Sequence, residues 1–117
     1  EEVTRKDSLE LDDKDRALVA ARVAAARERH IVITHGTDTM TETAKVLKDI
    51  EGKTIVLVGA LAPARFGESD ASFNLGMAFA TAQVAEPGVY ITMSGSVFRA
   101  DKVIKDRAKG AFVPVED

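Results

Sequence analysis

The chain has 117 residues, of which 45% are hydrophobic and 30% are charged, a balance typical of one globular domain with a single core. Its 16 Lys and Arg against 19 Asp and Glu give a net charge of -3, which argues against the basic face that nucleic-acid binding requires. The sequence has no cysteine and no apolar run near the roughly 20 residues of a membrane span, so we expect a cytoplasmic protein without disulfides or membrane contact.

The first predicted elements are a helix and a buried strand. Asp12 and Asp13 are good helix caps, and the small apolar residues that follow at roughly helical spacing predict a helix over 12–29. The next run, 31–34, is apolar and lacks the polar alternation of a half-exposed strand. It therefore predicts a strand that is buried on both faces.

A second helix and a second strand follow. Thr39 and Glu42 match the capping box, a hydroxyl followed three residues later by a glutamate, and predict a helix over 40–50. Residues 54–58 form another short apolar run, which again predicts a strand buried on both faces.

The remaining chain predicts one more helix and strand, and then a hairpin. Residues 59–72 are rich in turn residues and indicate a long loop. A helix is expected over 73–84 and a third buried strand over 89–93. The apolar pairs at 97–98 and 103–104 flank a polar turn and predict a small hairpin.

Strands that alternate with helices predict an α/β fold with three layers, in which helices cover both faces of a parallel sheet as in flavodoxin-like or Rossmann-like domains. We expect residues 1–117 to form one domain. Three strands are few for such a domain, so we also expect that a first strand, preceding Glu1, is missing from this chain.

Reactive polar groups lie where the first strand meets its helix. Thr37 and Asp38 occupy the carboxyl end of a strand, the place where open parallel sheets bind ligands. Amide groups at a helix start can hold a carboxylate, and Gly36 lets the backbone approach a ligand closely. A threonine hydroxyl is a nucleophile only when a neighbouring group activates it. Residue types alone favour the plainer interpretation that this Thr-Asp-Thr sequence is a helix cap.

Two further places could contribute to a site. Lys105 follows the third strand, on the side where the loops should gather, and a partly desolvated lysine there could take part in proton transfer. Most lysines are solvated, and that interpretation is favoured for Lys105 and Lys102 taken singly. Asp7 and Ser8 could form another ligand loop or an ordinary turn before the first helix.

Histidine and Asp70 have simpler interpretations. His35 follows a strand, where a lone histidine more often bonds backbone than a metal. The other histidine, His30, lies across the strand, so we expect no metal site. Asp70 precedes a predicted helix and is expected to cap it.

Four segments resemble one family in the same order. The stretch at 33–40, Ile-Thr-His-Gly-Thr-Asp-Thr-Met, resembles the second signature of bacterial-type L-asparaginases. The other segments are the Asp-Ser pair at 7–8, the Gly-Ala of 59–60 with the Asp, Phe, Asn and Leu at 70 and 73–75, and the Met-Ser-Gly-Ser-Val of 93–97 leading to Lys105. The chain therefore resembles the larger, N-terminal domain of these amidohydrolases.

The resemblance implies a site and a reaction, the hydrolysis of L-asparagine or a similar small carboxamide to the acid and ammonia without any cofactor. Thr37 would be the second catalytic threonine, Asp38 would bind the substrate's α-amino group, and Lys105 would complete a Thr-Asp-Lys triad. Asp7 and Ser8 would contact the substrate's α-carboxylate or main-chain end. The backbone around Thr37 and Ala60 would help to hold the substrate.

The sequence departs from the family in two respects. It contains no Thr-Gly-Gly-Thr-Ile segment of the kind that carries the family's first threonine, and it stops at Asp117 without the smaller C-terminal domain. An alternative is therefore a binding module for aspartate or asparagine that has lost turnover. A flavodoxin-like domain whose polar strand ends are only caps is the plainest alternative. We also expect a homo-oligomer, because a sheet without its first strand exposes an edge and apolar faces.

Overall fold

The computed structural model describes residues 6–61 and 69–115. Within these two ranges the helices are α1 (Asp13–Ala25), α2 (Met40–Leu47) and α3 (Ala71–Val84), and 3₁₀ turns span Ser8–Glu10 and Ala100–Lys102. The strands of the same ranges are β1 (His30–Thr34), β2 (Thr54–Val58), β3 (Gly88–Met93), β4 (Ser96–Arg99), β5 (Val103–Asp106) and β6 (Ala111–Pro114). Within the described ranges no helix is both long and apolar enough to cross a membrane.

The main sheet has the order β1-β2-β3-β4. The first three strands are parallel, with Thr34 beside Val58 and Val58 beside Thr92, so their carboxyl ends lie level along one edge. The predicted α/β fold with a parallel sheet is confirmed. β4 adds an antiparallel strand to β3, and β5 and β6 form a separate antiparallel pair.

The predicted hairpin between 97–98 and 103–104 is wrong. Residues 97–98 belong to β4 and pair with β3, whereas 103–104 belong to β5 and pair with β6. The reason is the turn at Ser94 and Gly95, whose φ angles of 53° and 84° are the positive pair that a tight two-residue hairpin requires. This turn folds β4 straight back onto β3 before β5 begins.

Helices cover both faces of the sheet. Ile55 and Leu57 of β2 are completely buried in a cluster with α1 and α2, and Val56 and Val58 are buried in a second cluster with α3. Successive side chains of a strand point to opposite faces, so α1 and α2 form one layer and α3 the other. This explains why the strand shows no polar alternation.

The helix boundaries differ from prediction by several residues. Asp12 caps α1 as expected, in a reciprocal capping box with Asp15. However, α1 ends at Ala25 rather than residue 29, because the chain must run extended into β1. The Lys53 ammonium holds that extended link by donating to the carbonyls of Ala26 and Glu28 at 2.5 and 2.7 Å. Helix α2 ends at Leu47, before the predicted residue 50, and α3 begins at 71 rather than 73.

β1 forms one edge of the main sheet. It pairs with β2 on one side, and within 6–61 and 69–115 no strand pairs with its other side. A groove of about 1150 Å³ runs along that edge between Val23 of α1 and Leu75 of α3. The carboxyl end of the groove reaches Gly36 and Ala60.

Candidate active site

The turn between β1 and α2 places two polar side chains at the carboxyl edge of the sheet. The His35 N–H donates to the Val58 carbonyl at 2.9 Å, which extends the β1–β2 ladder by one bond before the chain turns away. Thr37 then lies buried, with 9% of its surface exposed, and Asp38 lies half-buried beside it. Ligands of parallel α/β sheets bind at this edge.

Lys105 of β5 reaches both residues from the small second sheet. Its ammonium donates to Oγ1 of Thr37 at 2.7 Å and to Oδ1 of Asp38 at 2.8 Å. The lysine side chain is 15% exposed, against 36% for Asp38, so part of the ion pair is shielded from water. Lys105 is therefore in direct contact with two residues that precede it by 68 and 67 positions in the chain.

Charge at this cluster is set by Lys105. The hydrogen bond from Lys105 lowers the pKa of Asp38 below its ordinary value of 3.8. Burial opposes this shift, and the charges of Lys105 and Arg107 add to it. The carboxylate is therefore ionised at neutral pH.

Arg107 is a neighbour of the cluster that the sequence analysis missed. Its guanidinium lies 3.9 Å from Oδ1 of Asp38 and donates to the Asp38 backbone carbonyl at 3.4 Å. The signal was present in the sequence, because residues two apart along a strand point to the same side. Arg107 follows Lys105 at that spacing, one residue past the end of β5, and its side chain is 62% exposed.

Ser8 is buried against the start of α2. Its hydroxyl accepts from the Thr39 N–H at 2.6 Å, and the Thr39 hydroxyl donates to the Ser8 carbonyl at 2.7 Å. The two hydroxyl oxygens are 2.5 Å apart. The predicted capping box of Thr39 and Glu42 is therefore wrong, because the threonine makes no side-chain cap bond to α2. The cap comes instead from Ser8, across the fold.

The other expected substrate contacts are placed around this turn. Gly36 packs against Ser8, since a Cβ at Gly36 would lie 2.7 Å from the Ser8 Cβ. The sequence analysis expected Gly36 to let the backbone approach a ligand, and in the structure the group that approaches Gly36 closely is Ser8. Asp7 is exposed next to it, and Ala60 lines the groove along β1 together with Gly36. Their roles toward a substrate stay predictions.

Gly59 brings the end of β2 against Thr37. A Cβ there would collide with the His35 carbonyl and lie 3.1 Å from Cγ2 of Thr37 and from Cε of Met40. Only glycine therefore allows these two strand ends to approach so closely.

A buried amide organises the neighbouring loops. Asn74 of α3 is completely buried. Its amide nitrogen donates to the carbonyl of Gly59 at 3.0 Å and to Oδ2 of Asp70 at 2.9 Å. Its amide oxygen accepts from the Ser94 N–H at 3.0 Å. The same Asp70 oxygen accepts from the Leu61 N–H at 3.0 Å. The predicted capping role of Asp70 is wrong, because its side chain makes no cap bond to α3 and holds the 59–61 loop instead.

His35 bonds backbone, as the sequence analysis expected. Its Nδ1 lies 2.5 Å from the Gly36 carbonyl, and its Nε2 lies 2.7 Å from Oγ1 of Thr43. Within the described ranges there is no group of three or more histidine or acidic side chains that could hold a metal ion.

Comparison with known proteins identifies the family. The family model for the N-terminal part of asparaginase matches residues 1–113. The chain belongs to the asparaginase family. The resemblance inferred from four short segments is thereby confirmed over nearly the whole chain.

Individual asparaginases match over shorter stretches. A glutaminase-asparaginase from Acinetobacter glutaminasificans is 44% identical over 80 residues, which are 64% of this chain and 24% of that protein. L-asparaginase 2 of Escherichia coli is 42% identical over 80 residues, 63% of this chain and 23% of that protein. L-asparaginase of Thermococcus kodakarensis is 29% identical over 114 residues, 93% of this chain and 35% of that protein. The chain thus spans about a quarter to a third of the length of these curated relatives.

Proposed function

We propose that this asparaginase-family chain is an amidohydrolase that releases ammonia from L-asparagine or a similar small carboxamide. The observation that carries the proposal is the position of the Lys105 ammonium, which contacts the Thr37 hydroxyl and the Asp38 carboxylate at the carboxyl edge of the sheet. The names of the relatives, asparaginases and glutaminase-asparaginases, support the same reaction class.

Thr37 supplies the nucleophile in this proposal. Its oxygen accepts a hydrogen bond from Lys105, so its own proton is directed elsewhere and is available to the substrate. The oxygen attacks the carboxamide carbon, the carbon–nitrogen bond breaks, and the threonine proton leaves with the nitrogen as ammonia. Water then hydrolyses the ester that remains on Thr37 and releases the acid.

Lys105 and Asp38 have different electrostatic roles in the proposed reaction. The ammonium lies 2.7 Å from the Thr37 oxygen, where it stabilises negative charge on that oxygen as the hydroxyl loses its proton. Asp38 keeps Lys105 in place and, being ionised, offers a carboxylate to the α-ammonium group of an amino-acid substrate. Asp7 and Ser8 are proposed to receive the substrate's α-carboxylate end.

Substitution of each member of the cluster tests the proposal. Ammonia release from L-asparagine by the 117-residue chain should fall by about 100-fold or more in Thr37→Ala, Asp38→Ala and Lys105→Ala. Thr41→Ala, which removes a hydroxyl from the first turn of α2, is the matched control and should retain activity. Equal activity in the control and in all three variants would exclude the mechanism.

A second candidate is a binding module for aspartate or asparagine without turnover. It is favoured by the Lys105 contact, in which the ammonium donates to the Thr37 oxygen, because a cation can hold a hydroxyl in place without removing its proton. Calorimetry with L-aspartate and L-asparagine, combined with the ammonia assay, separates the candidates. Binding with no ammonia supports the module, and no binding of either ligand argues against both.

We further propose that the protein is a homo-oligomer. The fourteen residues of α3 include no charged side chain, and Phe73, Phe79 and Val84 are 62%, 55% and 83% exposed. Exposed apolar surface of this kind usually marks an interface. Sedimentation that shows only monomer at micromolar concentration would exclude it.

A further inference from the structure

His35 is a half-buried titratable side chain that the proposed mechanism does not use. It lies at the end of β1, where its backbone N–H donates to Val58. Its ring is inserted between the Gly36 carbonyl, 2.5 Å from Nδ1, and the hydroxyl of Thr43, 2.7 Å from Nε2. Thr43 is completely buried in α2, so the ring joins the turn to a rigid part of the core.

The partners determine the tautomer of the ring. A backbone carbonyl can only accept a hydrogen bond, so Nδ1 carries the proton and donates to Gly36. In a neutral imidazole Nε2 is then an acceptor, and the Thr43 hydroxyl donates to it. Of the two neutral tautomers, only this one satisfies both ring nitrogens.

The surroundings favour the neutral ring. Burial lowers the pKa of His35 below its ordinary value of 6.5, and the charge of Arg16 on α1 acts in the same direction. The Gly36 carbonyl and the Glu42 carboxylate on α2 oppose this and raise the pKa. The net effect is a ring that is uncharged at neutral pH.

The Gly36 carbonyl belongs to the peptide group whose nitrogen is that of Thr37. A peptide group is planar, so holding its oxygen also fixes the direction from which the Thr37 backbone departs. Glycine is the residue whose backbone is least restricted by itself. The ring on one side and Ser8 on the other restrict Gly36 instead.

We propose that His35 is a positioning residue: its neutral, Nδ1-protonated ring joins the Gly36 carbonyl to Thr43 and thereby holds the Thr37 hydroxyl against Lys105. This inference rests on the proposed function for its effect on turnover, but the geometry can be tested without turnover. Displacement of a reacting group by about 1 Å can cost about 100-fold in rate, so a loss of kcat with little change in KM is expected.

Replacement of His35 by alanine and by asparagine gives the decisive comparison. Asparagine places an N–H donor close to the position of Nδ1 and can still hold the Gly36 carbonyl, whereas alanine cannot. We expect His35→Ala to lower kcat about tenfold or more and His35→Asn to restore most of it. His30→Asn, at the exposed histidine that begins β1, is the matched control. Equal loss in the alanine and asparagine variants would overturn the proposal.

The pH profile gives a readout that a merely structural role would not produce. Protonation makes Nε2 a donor, so the bond with Thr43 must reverse its direction and a positive charge is placed in a half-buried position. We therefore expect kcat of the unaltered chain to decline as pH falls below 6.5, through the lowered pKa of His35. His35→Asn should lack that decline. An identical acidic limb in both proteins would count against His35 as its origin.

Nuclear magnetic resonance separates a failure of this inference from a failure of the proposed function. At neutral pH the ring should show a protonated Nδ1 and an unprotonated Nε2, and the Thr37 and Lys105 resonances should shift in His35→Ala but hardly in His35→Asn. If the chain releases no ammonia but shows these spectra, the proposed function is wrong and the positioning role of His35 is retained. The opposite tautomer, or unshifted Thr37 and Lys105 resonances in His35→Ala, overturns the positioning role whatever the activity.

Discussion

The loops that follow β1 and β2 lie at the same edge of the sheet, but the polar side chains near them differ in burial and in hydrogen bonding. After β1, Thr37 and Asp38 both bond the ammonium of Lys105, which lies 68 and 67 positions away in the chain. Asp38 stays partly exposed to water. After β2, the Asn74 amide is completely buried and bonded to Gly59, Asp70 and Ser94. The polar groups of Thr37 and Asp38 can therefore still bond a ligand, whereas the amide of Asn74 forms its hydrogen bonds within the protein.

The difference indicates how the site is built. A buried amide with every polar group satisfied stabilises one conformation of the loops. A hydroxyl and a carboxylate held by a lysine retain lone pairs and a proton for another molecule. Gly59 connects the two regions, because its carbonyl accepts from Asn74 and a Cβ at Gly59 would lie 3.1 Å from Cγ2 of Thr37. Substitutions in the first region should change activity, and those in the second should change stability.

The largest effect is expected from Lys105. Lys105→Ala should lower ammonia release about 100-fold or more, because the Thr37 oxygen loses its nearest positive charge. The free energy of unfolding should change by less than about 1 kcal/mol, as for other partly exposed ion pairs. Lys109→Ala, in the exposed turn of the same hairpin, is the control and should match the unaltered chain in both assays. Activity that survives in Lys105→Ala would remove the contrast between the two loops.

Asn74 should show the reverse behaviour. Asn74→Leu keeps a similar volume but leaves the Gly59 carbonyl and Ser94 N–H without their partner, which should lower the unfolding free energy by about 2–3 kcal/mol. Gln83→Leu alters an exposed amide on the same helix and should cost less than about 0.5 kcal/mol. Urea denaturation measures both. Equal stability of the two variants would show that the buried network is not what holds these loops.

Two glycines test the connection between the regions. Gly59→Ala should destabilise the fold by about 1–3 kcal/mol through overpacking and also lower activity, since the added methyl meets Thr37. Gly76→Ala should instead stabilise α3 by about 0.5–1 kcal/mol, because a Cβ there meets nothing within 4 Å and alanine is the better helix former. Thermal unfolding distinguishes them, and a neutral Gly59→Ala would contradict the close packing of the two strand ends.

The smallest effect is the pH dependence of Asp38. Its pKa is lowered below 3.8 in the folded protein, so the unfolded chain binds a proton at a higher pH than the folded chain does. The resulting stabilisation is present above pH 3.8 and is lost as pH falls through the lowered value. It should stay below about 1 kcal/mol, since the pair is partly exposed. Urea titrations at several acidic pH values should show it in the unaltered chain and not in Asp38→Asn.

Local patterns accounted for much of this molecule. Short apolar runs located β1, β2 and β3, because a strand buried on both faces leaves no position for a polar residue. Their alternation with helices predicted the layered α/β fold, and the four matching segments predicted the family. The positions of Thr37 and Asp38 at a strand end made them candidates, which is a local property, but the grouping of Thr37, Asp38 and Lys105 came from the resemblance to the family.

Tertiary structure decided what local patterns could not. Thr39 looked like an ordinary capping residue, yet its hydroxyl bonds Ser8 from another part of the chain. Asp70 looked like a cap too, but its carboxylate holds Leu61 and Asn74. A Ser, Thr or Asp side chain has several bonding options of similar energy, and only the packed neighbours select one.

The sequence by itself determined where strands end and which reactive residue types stand there, because backbone geometry and burial act over a few residues. Only the folded chain decided that one lysine contacts both Thr37 and Asp38, that β4 returns to β3, and that Gly59 packs against Thr37. Those outcomes depend on separations of a few ångström between residues distant in sequence. They are set by the packing of whole layers, which no local pattern records.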